Sequence, residues 1–200
     1  MIVLDIETTG VDPQKHAMID IAALDFDNPN NIFHYPIRMF PNAEIQQEAL
    51  DYNGFTVEEI NNPKRPPIKQ VLSDFLKWWQ PIKDRTFAGQ NPDFDVNFLK
   101  TNLRRCGFKT PISHRKLDQH TLAYFTLFKL KQPIPLEETT RQSKLNSDWI
   151  MEFVGIPSEP KPHHSALNGV LWEAEAFSRL LNGKNLLPQF SQYPIPNYLQ

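Results

Sequence analysis

Cysteine is nearly absent. The one residue in 200, Cys106, excludes an internal disulfide and any cysteine-built metal centre, and it points to a reducing compartment. Long apolar runs are missing too: none approaches the ~18 residues that a membrane helix needs. No basic region followed by a long apolar core opens the chain, so a cytoplasmic protein without signal peptide is expected, with no membrane partner. Neither a G-x-G-x-x-G fingerprint nor a P-loop is present, which leaves little for a nucleotide-cofactor enzyme. An excess of positive charge is also lacking, since the net charge is −2. A protein that grips a long duplex by its phosphates is usually basic. Any nucleic acid held here is therefore held over a short length, or with metal ions supplying the positive charge locally.

What is present is ordinary globular material. Hydrophobic residues make up 40% and charged residues 22%, enough for one domain with a sizeable core. The eighteen prolines fall largely between periodic segments and near the C-terminus. β-rich runs at 1–7, 18–27 and 31–39 read as three strands, the last two joined by the turn "DNPNN". A short helix is expected near 44–51. "IKQVLSDFLKWW" (68–79) is an amphipathic helix with Ile68, Val71, Leu72, Phe75, Leu76 and Trp79 on one stripe. A short strand follows at 85–90. A helix over 91–107 has Asn91 at its N-cap, Pro92 in its first turn and Gly107 at its end. "RKLDQH" holds a brief strand, 120–130 a mostly buried helix, and 146–156 another helix. The last helix follows "HHS", with Leu167, Val170, Leu171, Ala174, Phe177 and Leu181 facing the core. Strands first and alternating helices and strands afterwards imply an α/β layer fold with a mixed sheet. Residues 1–184 form the domain, and 185–200 a Pro-rich tail lying on its surface.

The chemistry starts with Asp5 and Glu7. Residues two apart in a strand share a face, about 6–7 Å apart along it. Two carboxylates that close repel, and one titrates upward unless a cation holds both. A hard divalent cation with oxygen ligands meets that need, whereas the solvated face of an edge strand is the plainer alternative. In "NPDFDVNFL", Asp93 reads as a first-turn residue favoured by the helix dipole. Asp95 lies against the apolar stripe of Phe94, Phe98 and Leu99, where a carboxylate needs a reason such as a metal. His164 stands at the mouth of the last helix, where a histidine serves as a general base near neutral pH or is simply a loop residue.

Taken in order, "LDIETTG", "NPDFDVNFL" and "HSALNGV" resemble the three motifs of the DEDD family of 3′–5′ exonucleases. The match is to its histidine-containing, DnaQ-like subgroup, which includes the proofreading epsilon subunit of bacterial DNA polymerase III. "YNGFTVEEI" (52–60) and "LDQHTLA" (117–123) resemble the family's connecting segments. The resemblance reaches to about residue 182. It implies a ribonuclease H-like fold, a five-stranded mixed sheet flanked by helices, and two divalent cations, Mg²⁺ or Mn²⁺. It further implies that Asp5, Glu7 and Asp95 hold the metals and that His164 takes the proton of the attacking water. Ile6, Thr8, Thr9, Asn91 and Phe94 would touch the terminal nucleotide. Single-stranded or frayed 3′ ends of DNA, less readily RNA, are the implied substrate, nucleoside 5′-monophosphates the product, and a polymerase or another replication or repair protein a partner. One departure stands out. The family's last aspartate falls at Gly169, which has no side chain to offer, so impaired catalysis is expected. Glu173, one turn further along the same helical face, leans back toward that position and is a weak substitute or else a solvated residue. The rival from another class is a non-catalytic module that binds nucleic-acid 3′ ends or a partner protein on the same fold.

Overall fold

The computed structural model describes residues 1–109, 111–160 and 165–200. Five strands form one mixed sheet in the order β3-β2-β1-β4-β5. β1 (Ile2–Thr8) runs antiparallel to β2 (Met18–Asp25) and parallel to β4 (Phe87–Gly89). β3 (Ile32–Pro36) and β5 (Lys116–Asp118) are the edges. The helices are α1 (Gln47–Asn53), α2 (Val57–Ile60), α3 (Ile68–Trp79), α4 (Pro92–Arg105), α5 (Gln119–Lys129), α6 (Ser147–Phe153) and α7 (Ala166–Asn182). Among the described residues no helix is long and apolar enough to cross a membrane.

β1 occupies the middle of the sheet, which removes the edge-strand alternative for Asp5 and Glu7. The period of two divides its side chains between two cores. Ile2, Leu4 and Ile6 pack with Val71, Phe75, Val96 and Phe98 of α3 and α4. Val3, on the face that Asp5 and Glu7 share, packs with Ala123, Ile150, Val170, Ala174 and Phe177 of α5, α6 and α7. Of the stripe read from the sequence, α3 buries Ile68, Val71, Leu72 and Phe75, while Leu76 and Trp79 are partly buried against the same core.

Several expectations shift. α5 is not mostly buried: only Gln119, Ala123 and Leu127 are enclosed, while Tyr124, Phe125 and Phe128 face outward. The helix rests on α6, α7 and β5, and two of its outward aromatics meet neighbours on α5 itself, Tyr124 beside His120 and Phe125 under Lys129. Asn91 stands at the start of α4 but in the left-handed region (φ 53°), with no capping bond from its side chain. Leu181 is exposed.

The C-terminal segment differs from a surface tail. Phe190 and Leu187 are buried in the α5–α7 core, and a buried ion pair inside α7 fastens the segment. Arg179 donates to Glu175 (2.8 Å), to Asn185 Oδ1 (2.8 Å) and to the carbonyls of Phe190 (3.1 Å) and Tyr193 (2.9 Å). Glu175 in turn accepts the backbone N–H groups of Leu186 and Leu187. α7 ends at Gly183 in the left-handed region (φ 60°), and only short 3-10 turns at Pro188–Phe190 and Asn197–Leu199 follow. Backbone groups of the segment find these two side chains as partners.

Candidate active site

β1 outruns its parallel neighbour. Its pairing with β4 covers Ile2 and Val3, and β4 ends at Gly89. Past that point the two strands part, and a cleft of about 560 Å³ opens, at the carboxyl ends of parallel strands where α/β sheets commonly bind ligands. The Ile6 N–H, left without a strand partner, donates to Asp95 Oδ1 at 3.2 Å. That bond carries the second-motif carboxylate of α4 to the floor of the cleft beside Asp5 and Glu7.

α7 closes the other side. Ser165 caps it by accepting from the Asn168 N–H at 3.3 Å, and Asp20 of β2 accepts the Ala166 N–H at 3.2 Å. The helix then lays Gly169 and Glu173 along the cleft. Gly169 touches the first motif: a Cβ built there would lie 2.8 Å from Asp5 Cγ and closer still to its Oδ2. Glu173 Oε1 accepts the Gln90 N–H at 3.2 Å. Its Oε2 is buried and has no hydrogen-bond partner among the described residues.

Asp5, Glu7, Asp95 and Glu173 thus share one cleft, whose lining also includes Glu48, Asp148 and Glu159. Asp95 and Glu173 are 5% and 8% exposed, and Asp5 and Glu7 are half-buried. Burial pushes Asp5 well above the usual carboxylate range, and the charges of Glu173, Glu7 and Asp95 add to it. Burial, with Asp20 beside it, raises Glu7 to about 8, while a hydrogen bond from Asn53 opposes the rise. Asp95 is raised to about 7 by burial, against the pull of the Ile6 N–H. Glu173 is raised by burial and by Asp95. Among the described residues no ion pair reaches any of the four, and no three His, Cys, Asp or Glu side chains are already gathered in coordinating geometry. Buried like charges without a counterion are unfavourable. The donor set is all oxygen, which suits a hard divalent cation, and Glu173 Oε2 faces the cleft without a hydrogen-bond partner among the described residues.

Of the residues expected at the site, Asp5, Ile6, Glu7, Thr8, Asn91, Phe94, Asp95, Gly169 and Glu173 all line the cleft. Thr9 does not. It is fully buried, and its hydroxyl donates to the Glu44 carbonyl at 2.7 Å while accepting the Ala17 N–H. That hydroxyl serves the loop after β1 and not a ligand. His164 lies outside the described residues. Asp93 stands in the first turn of α4, as the sequence implied, where it is exposed and paired with Lys116.

Three contributors were missed in the sequence. Asp20 sits directly opposite Glu7 across the β1–β2 pair, held by His34 Nε2 at 3.1 Å; a lone acid inside the apolar run "MIDIAAL" is the signal for it. Asn53 donates to the Thr8 carbonyl at 3.0 Å, which ties the "YNGF" connector to the first motif. Glu159 lines the cleft, but it lies among prolines without periodicity, so no signal marked it.

The exonuclease family model that takes its name from RNase T matches residues 2–177. The DNA polymerase III subunit epsilon of Rickettsia prowazekii (strain Madrid E) is 35% identical over 187 residues, 92% of this chain and 74% of that protein. The subunit epsilon of Treponema pallidum (strain Nichols) is 31% identical over 119 residues, 60% of this chain. The present chain spans about half the length of that relative, 53%. The solved nuclease domain of 3′hExo, a DEDDh family member bound to rAMP, has the same fold, with a TM-score of 0.66 at 16% identity over 93% of both chains. Motif order, ribonuclease H-like sheet and family match converge, and the chain belongs to the DEDD family of 3′–5′ exonucleases, in its DnaQ-like branch.

Proposed function

We propose that this chain is a metal-dependent 3′–5′ exonuclease acting on single-stranded or frayed 3′ ends of DNA and releasing nucleoside 5′-monophosphates. The observation that carries this reading is the gathering of Asp5, Glu7, Asp95 and Glu173 in one cleft without a paired cation among the described residues. Asp5, Glu7 and Asp95 would hold two Mg²⁺ or Mn²⁺ ions, which when bound stabilise the charge on the scissile phosphate. Asp5 and Glu7 gain their fixed spacing from β1, and Asp95 is oriented by the Ile6 N–H. Phe94 and Asn91, at the start of α4 beside the metal site, would take the terminal nucleotide, the ring by stacking on a base. His164 would accept the proton of the attacking water. The near-neutral charge of the chain suits a protein that holds only a few terminal nucleotides. A polymerase partner and a cytoplasmic location follow from the likeness to polymerase III subunits and are part of the same proposal.

The test is release of mononucleotides from 3′-labelled single-stranded DNA with Mg²⁺ or Mn²⁺ and with EDTA. Asp95→Asn is expected to lower turnover by at least about 10²–10³-fold, as when other groups that stabilise transition-state charge are lost. A folded protein that releases nothing with either metal, or that is indifferent to Asp95→Asn, refutes the reading.

A further inference from the structure

We propose that Glu173 supplies the fourth carboxylate of the metal site, and that Gly169 is the companion change that leaves Asp5 room beside α7. The inference rests on the metal-dependent reading above and reverses one of its expectations, the impairment at position 169.

Two contacts support it. The first is the space at Gly169. The Asp5 carboxylate already lies against the helix backbone there, and any side chain at 169 would overlap it. A carboxylate at 169 and Asp5 in its present rotamer exclude each other. The second is the reach of Glu173. Helix side chains lean toward the N-terminus, so a residue one turn further on covers the surface beside position 169. Glu173 Oε1 is fixed by the Gln90 N–H, and the Gln119 amide donates to the Glu173 carbonyl at 3.2 Å, which holds that turn of α7 in place. The Glu173 carboxylate is nine-tenths buried, and its second oxygen has no partner among the described residues. It lies 3.3 Å from where a Cβ on Gly89 would be, so it points across to the end of β4 where the cleft begins. A solvated helix face does not produce that arrangement. Glu159 also faces the cleft, but from a loop and not from a helix, so it is the competing donor that the experiment has to separate.

The experiment titrates Mn²⁺ into the metal-free 200-residue chain, with bound ion followed by electron paramagnetic resonance and calorimetry. Glu173→Gln keeps the acceptor for Gln90 and removes only the charge. It is expected to weaken Mn²⁺ binding by about 10–100-fold, at least as much as loss of a group that merely supports a ligand, or to remove one of the bound ions. Its metal-free melting temperature should equal or exceed that of the parent, because a repelling charge has gone. Glu159→Gln should bind like the parent. Gly169→Asp should lower the metal-free melting temperature without raising affinity. The proposal is overturned if Glu173→Gln binds Mn²⁺ like the parent, if Glu159→Gln shows the loss instead, or if Gly169→Asp tightens binding and raises turnover. Asp95→Asn keeps the two proposals apart. If it loses Mn²⁺ while Glu173→Gln does not, only the role of Glu173 fails. If the parent binds no Mn²⁺, the metal-dependent reading itself fails.

Discussion

Asp20 connects three elements through one side chain. It stands on β2 opposite Glu7, accepts the first N–H of α7 and is held from β3 by His34. A negative charge at a helix N-terminus is favourable, while the same charge across the strand pair from Glu7 is not, and it is the largest contributor after burial to the raised Glu7. Asp20→Ala separates the two effects. The Ala166 N–H loses its acceptor, so stability should fall by about 1–3 kcal/mol, read from urea unfolding. The Glu7 carboxyl should titrate lower, read by carbon NMR. A Glu7 titration that stays in place would mean that burial alone sets it.

At the scale of elements, α7 does more than present a site. Its N-terminal half lines the cleft, and its C-terminal half, through Glu175 and Arg179, holds the chain that follows. Both members of that pair are fully buried, and a buried pair broken from one side leaves an uncompensated charge. Arg179→Ala is therefore expected to cost about 3–5 kcal/mol. Truncation after residue 184 removes Phe190 and Leu187 from the core and strips Arg179 of the Asn185, Phe190 and Tyr193 acceptors. It should lower the thermal midpoint markedly. A truncated chain as stable as the parent would show that the segment merely lies on the domain.

For the whole molecule, the carboxylate cluster sets a pH dependence. Asp95 is raised to about 7 and Glu7 to about 8, and Asp5 and Glu173 are raised as well. The unfolded chain releases these protons near its ordinary carboxylate values, about 4. Between there and pH 7–8 the folded state binds more protons than the unfolded one, so stability falls as pH rises through that window. In EDTA the melting temperature should be higher at pH 5.5 than at pH 8. Mn²⁺ should raise it more at pH 8, because the cation binds the ionised form. Asp95→Asn should flatten the EDTA profile. A profile that rises toward pH 8 in EDTA would contradict the mutual burial of these acids.

The sequence by itself determined the class of fold, the order of the motifs and the shared face of Asp5 and Glu7. Those properties are local: the period of two in β1 and the stripe of α3 follow from backbone geometry whatever surrounds them. The resemblance of "HSALNGV" to the family's last motif also pointed to Gly169 as the position where an aspartate was expected. Only the tertiary structure decided what fills that region. Asp5 turns against the α7 backbone, Glu173 reaches the end of β4, and Asp20 meets both Glu7 and the first turn of α7. The same holds for the C-terminal segment, whose prolines argue against a continuous α-helix but do not say that Arg179 holds its carbonyls. Contacts between residues far apart in the chain depend on how helices pack on the sheet, and packing of that kind leaves no periodic mark in the sequence.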